Sequence, residues 1–226
     1  FELGLIMASF SISMAITQPI VGLFSDRHGR KLFLLAGLAI YSLTGFAYVL
    51  SSSVIDMSLI RLIQGVGGGL VFAVSMAYVG DLAPEEHEGR YMGMYNVAMF
   101  GGFGCGPLIG GILKDAFGMN ASFIGMGVLG AMAFVSILLF LPESRTTNNS
   151  EQQQESIGSA FAGILSETRM VGIFIIRLAV MFSMVPSFIF LPILLTDVMQ
   201  ASATQIGLVI TSRTMVTAAL QYPFGW

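Results

Sequence analysis

Hydrophobic positions in this chain fall in long unbroken blocks, not in the alternating or one-faced patterns of soluble domains. Residues 3–24 carry no charge, and neither do residues 32–55. At about 1.5 Å per helical residue, each block is long enough to cross a hydrocarbon layer about 30 Å thick. The same criterion predicts further spans over residues 57–80, 91–113, 121–141, 170–195 and 204–226. Polar segments separate them. Residues 22–31 contain Asp26, Arg27, Arg30 and Lys31, a Ser51-Ser52-Ser53 turn precedes Asp56, and residues 81–90 contain Pro84 and three glutamates. Residues 145–168 are polar and of low complexity, with Glu151-Gln152-Gln153-Gln154-Glu155 at their centre, and read as a linker. The expected fold is an all-α polytopic membrane protein.

Composition strengthens this picture mainly through what is missing. Only 10% of residues are charged, against about 25% in soluble domains, as expected of a chain dissolved in lipid. Cys105 is the single cysteine, which excludes an intramolecular disulfide and a cysteine-based metal site. No nucleophile–base pair, metal-ligand cluster or nucleotide loop is present, so no enzyme activity, catalytic residue, metal or cofactor is expected. No basic surface with interleaved aromatics points to nucleic acid. His87 reads as a hydrated loop histidine.

Charge placement sets the topology. With alternating spans, the segments holding Arg27, Arg30, Lys31, Arg90, Arg145 and Arg169 share one membrane face, and the opposite loops hold only Lys114. The positive-inside rule makes the first face cytoplasmic.

Within the spans, a few residues break the apolar pattern. Arg61 lies in the third, with Gln64 and Gly65 at helical spacing on its face. An arginine near a helix end can snorkel, but this grouping favours an interior role, which marks a functional site. Gly102, Gly106 and Gly110 recur every four residues in the fourth span, around Pro107, with Gly111 and Gly104 on a second smooth face. Such a face admits a neighbouring helix closely, and the proline bends the helix there. Ser9, Ser11, Ser13, Thr17 and Gln18 leave the first span semi-polar, serving either helix packing or a water-accessible cavity. A repeat is also visible. Gly4, Leu5, Ser9, Ala15, Gln18 and Gly22 return as Gly207, Leu208, Ser212, Ala218, Gln221 and Gly225, each offset by 203. The first and seventh spans therefore read as equivalent helices of two parallel repeats, and the chain reads as a fragment of a longer one.

Three motifs in order resemble the major facilitator superfamily, most closely its drug/proton antiporters. Residues 22–31, GLFSDRHGRK, match the hinge motif G-x-L-a-D-r-x-G-r-k through Gly22, Asp26, Arg27, Gly29, Arg30 and Lys31, with Phe24 replacing the usual Leu. Arg61, Gln64, Gly65 and Gly67 match the fourth-helix motif, and Gly93, Gly102, Gly106, Pro107, Gly110 and Gly111 fill the antiporter motif of the fifth helix. Leu141-Pro142-Glu143-Ser144 resembles the usual end of the sixth. The resemblance implies a twelve-helix fold, of which about seven, helices two to eight, are present. Residues 1–144 would be the N-terminal six-helix half lacking its first helix, residues 145–168 the cytoplasmic central linker, and residues 169–226 the first two helices of the second half.

It also implies proton-coupled efflux of drugs or other small molecules by alternating access, from a multi-pass protein of the cell membrane, monomeric when complete. Its partners would be a small-molecule substrate, protons and the lipid bilayer. Asp26, Arg27 and Arg30 would act in gating, Arg61 in proton coupling, and residues 102–111 in helix packing. Gln18, Arg177, Arg213 and Gln221 are candidate substrate-facing residues. A sugar or metabolite symporter of the same superfamily is the alternative, and a non-transporting membrane receptor a more distant one.

Overall fold

The computed structural model describes residues 2–84, 86–143 and 168–224, and among them every element is helical. The long helices are α1 (Glu2–His28), α2 (Arg30–Ala47), α3 (Val54–Leu82), α4 (Glu88–Phe117), α5 (Met119–Phe140), α6 (Thr168–Asp197) and α7 (Ala203–Phe224). The linker expected at residues 145–168 lies outside the described residues except for Thr168, as do Gly225 and the side chains of Arg27, Arg169 and Gln221.

The helices are longer, and their connections shorter, than the apolar blocks alone imply. The charged hinge is not a loop: α1 stays helical through His28, and α2 begins at Arg30. Gly29 alone makes the break, with φ 91° and ψ 151°, a conformation essentially reserved for glycine. Gly118, with φ 89°, likewise joins α4 directly to α5. Between α2 and α3 a 3-10 turn, Tyr48–Leu50, leads into the serine turn. There Ser53 and Asp56 form a reciprocal capping box, the Ser53 hydroxyl taking the Asp56 amide and the Asp56 carboxylate taking the Ser53 amide.

Among the described residues, six helices are long and apolar enough to cross a membrane: α1 to α6. The seventh expected span, α7, has the length but not the apolarity. Thr204, Gln205, Thr211, Ser212, Arg213, Thr214 and Thr217 interrupt it.

By contact the chain forms two compact units, Phe1–Arg145 with Ala203–Trp226, and Thr146–Ser202. The second contains α6, whose helix includes Pro186 and Pro192. In the first, α1 packs on α3, α2 lies against both α3 and α5, and α4 contacts α5 and carries α7 along its length. A small core of Val21, Leu34, Leu70 and Val74 joins α1, α2 and α3. The apolar window of α3 is 44% buried and that of α5 only 6%, so α3 is the central helix and α5 offers its apolar surface outward. Glycines set the spacing. A Cβ on Gly65 of α3 would collide with the Phe10 carbonyl oxygen of α1, and one on Gly45 of α2 would lie 2.6 Å from the Gly127 backbone of α5. Such close backbone approach is how membrane helices gain packing contacts without a hydrophobic driving force between them.

Candidate functional site: a charge network and a half-buried arginine

Because Gly29 turns the chain within one residue, Arg30 opens α2 beside the last turn of α1. Its guanidinium Nη1 lies 3.1 Å from Asp26 Oδ1. Nε and Nη2 donate to the two carboxylate oxygens of Asp81, in the last turn of α3, with Nη2–Oδ1 at 3.0 Å. One cation thus ties α1, α2 and α3 together at a single end of the bundle. The two anions are not equivalent. Asp81 is met by a bidentate fork, the strong form of this interaction, whereas Nη1 lacks hydrogen-bond alignment toward Asp26.

Glu143, just past α5, completes the cluster. Its carboxylate accepts the Arg30 amide at 2.7 Å and the Lys31 amide at 3.3 Å, capping α2 at an N-terminus where Gly29 has no side chain to do so. A carboxylate is favoured there by the helix dipole as well as by the free N–H groups. The Lys31 ammonium donates to the Leu138 carbonyl at 2.9 Å, and the Tyr78 hydroxyl to the Pro142 carbonyl at 2.9 Å, which seats the end of α5 on α2 and α3. Asp81 and Glu143 were not expected from the sequence as partners of the hinge, being 51 and 113 residues from Arg30. The available signal was that both acids lie at the same membrane face as the basic cluster, in a chain poor in charge.

Inside the bundle, Arg61 and Gln64 do meet. Arg61 Nη1 donates to Gln64 Oε1 at 3.1 Å, and the Tyr48 hydroxyl donates to the same oxygen at 3.0 Å. The guanidinium carbon lies 5.8 Å from the Phe10 ring centroid and 5.7 Å from that of Tyr48, in cation–π range of both. Tyr48 in turn stacks on Phe123. Gln64 is buried, and Arg61 Nε is buried with no hydrogen-bond partner among the described residues. The partners of Arg61 described here are therefore neutral, and they hold a cation in an aromatic pocket with one donor unused.

In α4 the glycine faces divide. Gly102, Gly106 and Gly110 have open space where a Cβ would stand. It is the other face, with Gly104 and Gly111, that meets α7. A Cβ on Gly104 would come within 2.9 Å of Met215, and one on Gly111 would strike the Ala203 carbonyl. Gly207 of α7 faces the Pro107 carbonyl in the same way. The Thr211 hydroxyl donates to the Gly104 carbonyl at 2.6 Å, and Asp115 accepts from the Ala203 and Thr204 amides. Gly93 is buried, Gln18 is half-buried on α1, and Arg213 is exposed on α7. Arg177 lies on α6 in the second unit.

Comparison with known proteins places this architecture. Over residues 1–226 the chain matches the family model of the Major Facilitator Superfamily. It is 30% identical over 226 residues to an uncharacterized MFS-type transporter of Methanocaldococcus jannaschii, covering 99% of this chain and 58% of that one. It is 29% identical over 155 residues to the quinolone resistance protein NorA of Staphylococcus aureus, covering 68% of this chain and 40% of that one. In structure it is similar to the human organic anion transporter MFSD10, with a TM-score of 0.74 at 21% identity, over 98% of this chain and 56% of the other. The chain thus spans about half the length of the relatives it matches. With a family match over its whole length and helices fit to cross a membrane repeatedly, this chain is a multi-pass membrane protein belonging to the Major Facilitator Superfamily.

Proposed function

We propose that the complete protein is a secondary active transporter of the cell membrane, monomeric, which expels drugs or other small organic molecules in exchange for protons by alternating access. On this reading α1–α5 are most of the first half and α6 and α7 open the second. The observation that carries the reading is the Arg30 bridge. A single guanidinium joins the ends of α1, α2 and α3 through two carboxylates, in a chain where charge is otherwise scarce. Such a network, near water and breakable, can bias two conformations by a few kcal/mol. A static receptor has no need of it. Asp26, Arg27, Arg30 and Asp81 would then gate the cytoplasmic side.

Arg61, with its neutral partners and one unused donor, is suited to coupling. A carboxylate brought near it from elsewhere in the protein would be held ionised, and would release the cation when protonated. Similarity to a quinolone resistance protein supports drug efflux. A second reading of the cargo, an organic anion, is favoured by that same unpartnered cationic donor.

The test uses the complete protein in liposomes under an imposed pH gradient. Antiport predicts that drug moves against the proton flow and stops when the gradient is collapsed. Movement indifferent to the gradient would sink the antiport reading, and movement with the protons would indicate the symporter.

A further inference from the structure

We propose that Asp115 is a gating residue that clasps the outer end of the α4–α7 contact: its carboxylate holds the N-terminus of α7 while that end of the protein is shut, and must release it for the end to open. The inference rests on the transporter reading, in which α4 and α7 belong to different halves.

The geometry begins at the start of α7. The first amides of any helix have no intrahelical acceptor. Here two of them, on Ala203 and Thr204, point at the Asp115 carboxylate from another helix, at 3.2 Å to Oδ1 and 2.8 Å to Oδ2. Each carboxylate oxygen takes one amide, and the charge faces the positive end of the helix dipole. One turn back along α4, Gly111 lies against the Ala203 carbonyl, and another turn back Gly207 lies against Pro107. Backbone meets backbone there with no side chain between them. Dispersion contacts of this kind fade within an ångström of separation, so the pair parts as a unit and does not loosen gradually.

Position makes the contact suitable for a gate. By the charge asymmetry of the loops, the Lys114–Asp115 end of α4 is the outer end. Asp115 is exposed, so water can take over both the carboxylate and the amides when they separate, and the clasp opens without stranding a buried charge. Further in, the Thr211 hydroxyl on the Gly104 carbonyl adds a neutral contact. The charged contact is at the rim, where opening must begin.

Loss of a helix cap typically shifts an equilibrium by about fivefold, and asparagine, with one acceptor oxygen and no charge, can replace only one of the two amide contacts. The experiment uses the full-length protein in right-side-out vesicles, with Cys105→Ser and a reporter at Ile210→Cys, a position buried in the contact. A membrane-impermeant maleimide is the probe, and Val74→Cys, fully buried in the core, is the control. Asp115→Ala should raise labelling at position 210 about fivefold and leave position 74 slow, with Asp115→Asn showing part of that rise. Three results would overturn the proposal: an unchanged rate in Asp115→Ala, an Asp115→Asn rate equal to that of the unsubstituted protein, or a parallel rise at position 74, which would make Asp115 merely structural. Substrate movement by the unsubstituted protein is measured alongside. Its absence would refute the transporter reading by itself, whereas unchanged labelling in a protein that transports refutes only the clasp.

Discussion

Asp81→Asn removes one of the two anions facing Arg30 and changes the side chain's shape very little. Exposed ion pairs contribute about 0.2–1 kcal/mol, and breaking a fully buried one costs about 3–5 kcal/mol. Arg30 and Asp81 side chains are 13% and 35% exposed, between those limits, and their bidentate geometry places the coupling at about 2 kcal/mol. Asp26 is 58% exposed and its contact is unaligned, so its coupling to the same guanidinium should be at most about 0.5 kcal/mol. The assay is a double-mutant cycle on reversible unfolding of the full-length protein in mixed micelles, pairing Arg30→Gln with Asp81→Asn and then with Asp26→Asn. Transport rates of the same variants are measured in parallel. The expected ranking is Arg30–Asp81 well above Arg30–Asp26, with transport falling in that order. Equal couplings for the two acids, or additivity between Arg30 and Asp81, would refute the reasoning from burial and geometry.

Further glycine substitutions test the backbone. Gly29→Ala should lose about 1–3 kcal/mol from its φ of 91° alone. It should also displace Glu143, whose Oε2 would lie 2.8 Å from the new Cβ. Thermal unfolding of Gly29→Ala beside Gly22→Ala, which meets open space, separates this from a general effect of the motif. Gly65→Ala drives a methyl into the α1 backbone and should cost about 1–3 kcal/mol. Gly102→Ala meets nothing and should leave stability equal or higher by about 0.5–1 kcal/mol. A transport loss in Gly102→Ala without a stability loss would assign the open glycine face to the moving state.

The spans were legible because lipid imposes the simplest rule in protein folding, about twenty apolar residues without charge. Their ends were less so. Charged residues 26–31 read as a loop, yet helical backbone needs only a solvated end for its charges, and a single glycine sufficed to turn it. Sequence spacing exposed the i to i+3 pair of Arg61 and Gln64, since both lie on one helix. It was silent on Phe10, Tyr48, Asp81 and Glu143, whose contacts depend on which helices become neighbours. The four-residue rhythm of Gly102, Gly106 and Gly110 marks one face of α4, while α7 packs on Gly104 and Gly111. Periodicity defines a face without saying what it meets. For α7 the hydroxyl-rich sequence lowered its apolarity; the Thr211 hydroxyl meets the Gly104 carbonyl of α4, and those of Ser212, Thr214 and Thr217 bond back to carbonyls of α7 itself.

The placement of polar groups along the membrane normal follows from what each must do on the proposed reading. Charge–charge and charge–amide contacts sit at helix ends: Arg30 with Asp81, Glu143 on the α2 amides, Asp115 on the α7 amides. There, water can replace a partner, so breaking one contact costs a kcal/mol or two, small enough to be overcome in each cycle. A carboxylate fixed against Arg61 at bundle depth would be another matter. Removing it would leave a partly buried charge alone, at a cost above that of an exposed pair. Aromatic rings and an amide oxygen instead hold Arg61 whether or not an anion is present, which lowers the cost of its unpaired state. An arginine so supported can exchange an anionic partner repeatedly, as coupling to a proton requires, while the helix around it stays in place.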